Sequence, residues 1–275
     1  AGVLAEVAGW LEARGVEPVF ETHTAALVGL PPGRPTQARE DLPHACDLVV
    51  ILGGDGTLIG MAGLIAQAGT TVPILGVNFG SLGFLTEIQL DELYDSLESV
   101  LDGEAQIDER MMLRARTLRA GGIFADRLVV NDVVITKAAL SRIIDLSVTI
   151  GDQLVMRVRA DGLIVATPTG SSAYNLAAGG PIVHPAVDAL LLTPIAPHML
   201  TNRPVVLPGS SEVMVEPVMN GGEEVYVTFD GQSGHPLQAD DVIEITRAER
   251  PLRLVRASKR TYFDVLRQKL KWGAR

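Results

Sequence analysis

Three glycines and a carboxylate, Gly53-Gly54-Asp55-Gly56, followed by Thr57, close the apolar run Asp47–Leu52 and lead into the apolar segment Leu58–Ala66. The run Leu48-Val49-Val50-Ile51-Leu52 is short, continuous and rich in β-branched residues, the pattern of a strand buried on both faces. A strand that ends in a glycine loop opening a helix puts the loop at the carboxyl edge of an α/β sheet, where ligands bind. Glycines let backbone N–H groups approach a phosphate, and a helix N-terminus favours negative charge. Gly53, Gly54, Gly56 and Thr57 are therefore candidates for holding phosphates. Asp55 repels phosphate, so within such a loop it must serve otherwise, by accepting a proton or holding a metal. A plain tight turn containing Asp-Gly has the same spacing, and on the loop alone both readings stand.

Two better-known glycine loops are excluded. The dinucleotide fingerprint G-x-G-x-x-G, begun at Gly54, needs glycine where Ile59 stands. A Walker A loop needs a lysine after its last glycine, and the chain's four lysines are Lys137, Lys259, Lys269 and Lys271.

A second group of chemical residues runs from Arg159 through Asp161, Thr167, Thr169, Ser171, Ser172, Tyr174 and Asn175 to Gly179-Gly180-Pro181. An all-apolar strand, Leu163–Ala166, separates a carboxylate from hydroxyls and an aromatic ring. Those are the parts of a pocket for a flat polar ligand, and equally of a glycine-rich turn in a β protein. Asn131-Asp132 interrupts the strand-like run Leu128–Thr136, where polar side chains need partners or a function. His198 reads as structural, since the five histidines have no metal-ligand spacing, and Ser171 and Ser172 lack the G-x-S-x-G elbow of a hydrolase.

The elements that must position these groups fall into two textures. Leu4, Val7, Ala8 and Leu11 repeat at helical spacing before Gly15, and Val16–Glu21 reads as a strand. A parallel sheet would place another strand before that first helix, so one is expected upstream of this sequence. Leu30–Asp41 is a loop, Val72–Val77 a strand, and Asp91–Leu101 a helix with Asp91 as its N-cap. After Gln106 short alternating runs take over, which predicts an all-β second domain. The expected division is 1–105, 106–258, and a helical tail 259–275 with Phe263, Leu266 and Leu270 on one face, packing back on the first domain.

Length and composition agree with two domains: 275 residues, 47% apolar, one cysteine (Cys46) and formal net charge −10. The charge disfavours nucleic acid and anionic membranes as partners. A single cysteine permits no internal disulfide, and no apolar run reaches the roughly 18 residues that span a bilayer. The expected setting is cytoplasmic.

Taken in order, Gly53–Thr57, Asn78–Leu85, Asn131-Asp132, Asp161–Pro181, Thr193–His198 with Asn202-Arg203-Pro204, and Asp230-Gly231-Gln232 resemble the NAD kinase family. The first motif has close relatives in diacylglycerol and sphingosine kinases and phosphofructokinases; Asp161–Pro181 is the specific one. The resemblance implies a Rossmann-like α/β domain, a β-sandwich domain, and a nucleotide site between them. It implies phosphorylation of the adenosine ribose 2′-hydroxyl of NAD by ATP with a divalent metal ion such as Mg2+, held largely by phosphate oxygens; some members also use polyphosphate. It makes Asp55 the catalytic base. It assigns contacts to NAD to Gly56, Asn131, Asp132, Arg142, Arg159, Asp161, Ser172, Ala173, Tyr174, Asn175, Leu176, Ala177 and Gln232, with Phe84 lining the adenosine pocket. No protein ligand to the metal is assigned. The sequence departs from the commoner pattern at Asp132 (often Glu), Ser172 (often Thr) and Ala177 (often Ser). The family also implies homodimers or homotetramers in which a neighbouring subunit completes the site.

Overall fold

The structure is a computed structural model that describes residues 2–29, 33–80, 82–138, 142–219, 224–256 and 260–273. Its first layer is a sheet ordered Val49–Leu52, Ile74–Asn78, Leu252–Arg256, Gln106–Arg110, with Ile88–Gln89 pairing alongside Ile74–Asn78. The first two strands are parallel, Val49 opposite Ile74 and Leu52 opposite Val77. Helices cover both faces, as a parallel sheet requires. On one face the helix Asp55–Gln67 buries Leu58, Met61, Ala62 and Ile65 against Val49, Ile51, Leu252 and Leu254. On the other, Val7 of the helix Gly2–Glu12 and Leu93 and Leu97 of Leu93–Leu101 meet Leu75, Val77 and Val255.

Gln106–Arg110 and Leu252–Arg256 correct the expected division, because both pair inside this first sheet. Their alternation is that of any strand with one apolar face; it does not encode which sheet they join. The strand expected over 16–21 is only Phe20–Glu21, and it pairs with Thr36–Gln37 rather than with the main sheet. Glu21 instead caps a helix, Thr22–Val28, by accepting from His23 N and Thr24 N. Asp91 is not an N-cap either. Gln89 caps a 3₁₀ turn, Leu90–Glu92, and Glu92 reaches back to Gln89 N.

The second part is a sandwich of two antiparallel six-stranded sheets. One is ordered Gln153–Ala160, Ile144–Ile150, Val213–Val218, Val242–Arg247, Leu113–Arg119, Gly122–Val129. The other is Val205–Pro208, Ala189–Ile195, Gly162–Ala166, Asp132–Lys137, Val225–Phe229, Ser233–Pro236. Their facing side chains, among them Leu146, Val215 and Ile245 against Ile135, Leu163 and Leu192, form one core. Leu128–Thr136 is thus not one strand. The chain leaves the first sheet of the sandwich at Val129 and enters the second at Asp132, so Val130-Asn131 is a corner between sheets.

The C-terminal helix Tyr262–Leu270 packs back on the first part. Arg260 donates to Glu92 Oε2 (2.6 Å) and to Glu87 O (3.2 Å), and Lys269 Nζ lies 5.6 Å from the centre of the Phe84 ring. Its buried face is Val265 and Leu266; Phe263, expected there, is exposed beside His184.

Candidate functional site

Gly53 N extends the parallel ladder by donating to Val77 O (2.9 Å), and the helix begins at Asp55 with Gly54 extended before it. The first N–H groups of that helix have no acceptor within it. Gly54 and Gly56 are exposed, and a Cβ on either would meet nothing within 4 Å. The loop thus presents bare backbone to whatever approaches it. Thr57 is exposed beside it, and its Oγ1 would lie 3.3 Å from a Cβ on Gly53.

Asp55 is half-buried and its carboxylate turns toward the segment 83–86. Oδ2 accepts from Phe84 N (2.8 Å); Oδ1 accepts from Leu85 N (3.1 Å), Thr86 N (3.0 Å) and Thr86 Oγ1 (2.9 Å). A Cβ on Gly83 would fall 2.1 Å from Asp55 Oδ1 and 2.2 Å from Thr86 Oγ1, so only glycine permits this closeness. Phe84 is half-buried at the edge of the same loop.

The corner at Asn131-Asp132 is held by Asp230. Its carboxylate accepts from Val130 N (2.8 Å), Asn131 N (2.7 Å) and Asp132 N (3.1 Å), while Asp230 N donates to Asp132 O (2.9 Å). Asp230 adopts a left-handed backbone, φ 52°, sustained by these bonds. Burial raises the Asp230 carboxyl, and the three N–H groups pull the other way. Asp132, 5% exposed, is pushed up to about 7, first by burial and then by the neighbouring Asp230. Two residues beyond Asp230, Gln232 Nε2 donates to Gly56 O (2.7 Å) and so ties the corner to the glycine loop.

The segment 167–183 folds over the outer face of the strand Gly162–Ala166, which is why that strand is apolar on both sides. Thr167 Oγ1 donates to Val130 O (2.6 Å) and accepts from Gly170 N (3.0 Å), and a Cβ on Gly170 would strike Asn131 O. Ser171 Oγ bonds Pro168 O and accepts from Val183 N. Asn175 is fully buried: Nδ2 donates to Ser171 O and Pro181 O, and Oδ1 accepts from Thr193 Oγ1 (2.6 Å). Its side chain supports the loop from within. Tyr174 and Ala177 are exposed, Ala173 and Leu176 half-buried, and half-buried Ser172 donates to Thr169 O.

The structure therefore gathers Gly53–Thr57, Phe84, Asn131, Asp132, the segment 172–177 and Gln232 around one region. It does not bring Arg159 and Asp161 there. Gly162 is registered with Thr136 and Ile195, whereas Ala166 is registered with Asp132, so Asp161 lies at the opposite end of the strand from the corner. At roughly 3.3 Å per residue that separation is about 15–20 Å. Asp161 Oδ1 is 3.7 Å from Lys137 Nζ, and Arg159 is exposed on the edge strand Gln153–Ala160. Arg142 is exposed at the start of Ile144–Ile150.

Thr86, Gly83 and Asp230 were not singled out as site residues by sequence reasoning, whereas Thr167 was grouped with the pocket hydroxyls and turns out to brace the corner. Asp230-Gly231 carried a turn signal, while Thr86 had none, because its partner Asp55 lies 31 positions away. Among the described residues there is no group of three His, Cys, Asp or Glu arranged to hold a metal ion.

Residues 6–105 match the family model for the ATP-NAD kinase N-terminal domain, and residues 130–257 match that for the ATP-NAD kinase C-terminal domain. A Geobacter sulfurreducens protein named NAD kinase is 51% identical over 274 residues, covering 100% of this chain and 94% of the relative. The Geotalea daltonii NAD kinase is 49% identical with the same coverage. Among solved structures, yeast NADH kinase complexed with NADH superposes with a TM-score of 0.87 at 27% identity, over 100% of this chain and 84% of that one. An Archaeoglobus fulgidus NAD kinase in complex with ATP superposes with a TM-score of 0.75 at 24% identity, over 98% and 96%.

Proposed function

The chain belongs to the NAD kinase family, and from that premise we propose that it transfers the γ-phosphoryl of ATP to the 2′-hydroxyl of the adenosine ribose of NAD, giving NADP and ADP. The observation that carries this reading is the placement of Asp55. It sits at the mouth of a bare backbone loop, and that loop is tied by Gln232 to the Asn131-Asp132 corner of the sandwich. Donor phosphates bind along Gly53, Gly54, Gly56 and Thr57. The acceptor dinucleotide lies against Phe84, Asn131, Asp132 and the exposed side of Ser172–Ala177, with Tyr174 offering a ring face.

Phosphoryl transfer asks a protein mainly for positioning and charge stabilisation. The ribose hydroxyl gives its proton to Asp55 as its oxygen bonds the γ-phosphorus. The bond from that phosphorus to the bridging oxygen breaks, and the electron pair leaves on ADP. When bound, a divalent cation such as Mg2+ would neutralise charge on the donor phosphates, and such an ion keeps few protein ligands. Asn175 acts here by shaping its loop, and Gln232 by latching Gly56.

Asp161 stands at the end of the strand Gly162–Ala166 away from the corner, and Arg159 precedes it by two residues. We assign them to the site of a neighbouring copy in a homodimer or homotetramer. Their edge strand exposes Leu154 and Val155, a surface suited to pairing with a second subunit. A half-buried free thiol, Cys46, suits the reducing cytoplasm.

Labelled ATP incubated with NAD, NADH or diacylglycerol in parallel, with polyphosphate as an alternative donor, tests this reading. Label appearing in NADP supports it. Label in the lipid, or tight NAD binding with no transfer, overturns it.

A further inference from the structure

The hydrogen-bond chain behind Asp55 distinguishes its two oxygens. Gly80 N can only donate, and it donates to Asn78 Oδ1 (2.6 Å), which fixes the orientation of the Asn78 amide. Asn78 Nδ2 then donates to Thr86 Oγ1 (3.0 Å). The single proton of that hydroxyl is left to go to Asp55 Oδ1 (2.9 Å). With Leu85 N and Thr86 N also on it, Oδ1 carries three donors, more than its lone pairs can serve well. Among the described residues Oδ2 accepts from Phe84 N alone, which leaves it a further lone pair. Thr86 is completely buried, so water does not stand in for its hydroxyl.

We infer that Thr86 and Asn78 are positioning residues for phosphoryl transfer. Together they saturate Oδ1 and hold the carboxylate so that Oδ2 receives the ribose proton. The inference rests on the reading of Asp55 as the base. In the step, the 2′-hydroxyl proton passes to Oδ2, the ribose oxygen bonds phosphorus, and the electron pair of the broken bond leaves on ADP. Thr86 and Asn78 exchange no proton with substrate; they set which oxygen faces it.

The test compares Thr86→Val, Thr86→Ser and Asn78→Asp in the full chain, each checked for cooperative thermal unfolding. Thr86→Val keeps the shape and removes the hydroxyl. Its kcat is expected to fall about 10–100-fold with the KM values for NAD and ATP within about three-fold of the parent. Thr86→Ser restores most of the kcat. Asn78→Asp keeps the acceptor for Gly80 N but turns the Thr86 hydroxyl away from Asp55, so it reproduces the kcat loss even where Thr86→Val does not fold.

The inference is overturned if Thr86→Val loses less than about three-fold in kcat, if its loss appears in KM instead, or if Thr86→Ser falls as far as Thr86→Val. If Thr86→Val fails to fold, an unchanged kcat in Asn78→Asp overturns it. Asp55→Asn, assayed alongside, separates the two levels. Its retained activity would remove the base itself, whereas an inactive Asp55→Asn beside a parent-like Thr86→Val removes only the positioning role.

Discussion

Gln232 and Gly56 lie 176 positions apart in the chain, yet the Gln232 side-chain amide donates to the Gly56 carbonyl at 2.7 Å. This bond fixes the glycine loop of the first part against the hairpin that carries Asp230. A hydrogen bond of this kind is worth about 0.5–1.5 kcal/mol net, or roughly 2–10-fold in an equilibrium. Gln232→Ala is therefore expected to lower kcat/KM for NAD by about that factor and to lower the unfolding temperature by no more than a few degrees. Steady-state kinetics in both substrates and a thermal melt check it.

The Asp132–Asp230 pair makes stability depend on pH. Asp132 rises from an ordinary value of 3.8 to about 7 on folding. As pH increases from about 4, the unfolded chain releases this proton first, so folded stability declines until the folded carboxyl also ionises near pH 7. The loss amounts to a few kcal/mol, on the order of 1.4 kcal/mol per pH unit. Asp132→Asn should remove that decline. Its melting temperature, measured against the parent from pH 4 to pH 9, is expected to gain several degrees across the window. An unchanged difference at every pH would contradict the assignment.

Asn175 and Tyr174 are neighbours with opposite expected phenotypes. Asn175→Ala abandons the Ser171 and Pro181 carbonyls and the Thr193 hydroxyl in a buried site. Each orphaned group costs about 1–3 kcal/mol, so the variant should melt well below the parent. Tyr174, 46% exposed, should lose affinity for NAD on replacement by alanine without losing stability. Calorimetry and NAD titration on the two variants separate these roles.

Two glycines should likewise diverge. Gly83→Ala drives a methyl into the Asp55 carboxylate and is expected to reduce kcat by about 100-fold or more. Gly54→Ala meets nothing within 4 Å and has an ordinary backbone, so it should fold normally and raise the KM for ATP by crowding the phosphates. Equal effects of the two on kcat would contradict the separation of base-holding from phosphate-holding glycines.

Apolar alternation made most strands legible, and the strand–loop–helix around Asp55 was plain from its run of β-branched residues. Sheet membership was not. Leu252–Arg256 carries one leucine face and a valine on the other side, a pattern that fits either sheet, and only the packing of Leu252 and Leu254 under the helix Asp55–Gln67 decides. Asn131-Asp132 stood out because polar residues broke an apolar run, and that break is the corner between sheets. The resemblance assigned Asn175 to the ligand, and the sequence alone did not reveal that its side chain bonds Ser171, Pro181 and Thr193 inside the loop. The partners of Asp55 stayed hidden because Gly83 and Thr86 matter only through contacts across about thirty residues.

The most direct measurement is NADP formation by Asp55→Asn. The amide can keep an oxygen toward Leu85 N and Thr86, at the cost of a nitrogen facing Phe84 N, so the protein should fold and bind NAD with modestly reduced affinity. It cannot take the ribose proton. Turnover is expected to fall about 10²–10⁴-fold at saturating NAD and ATP, the usual contribution of a general base. Near-parental NADP formation by the folded, NAD-binding variant would contradict the assignment of Asp55 as the base.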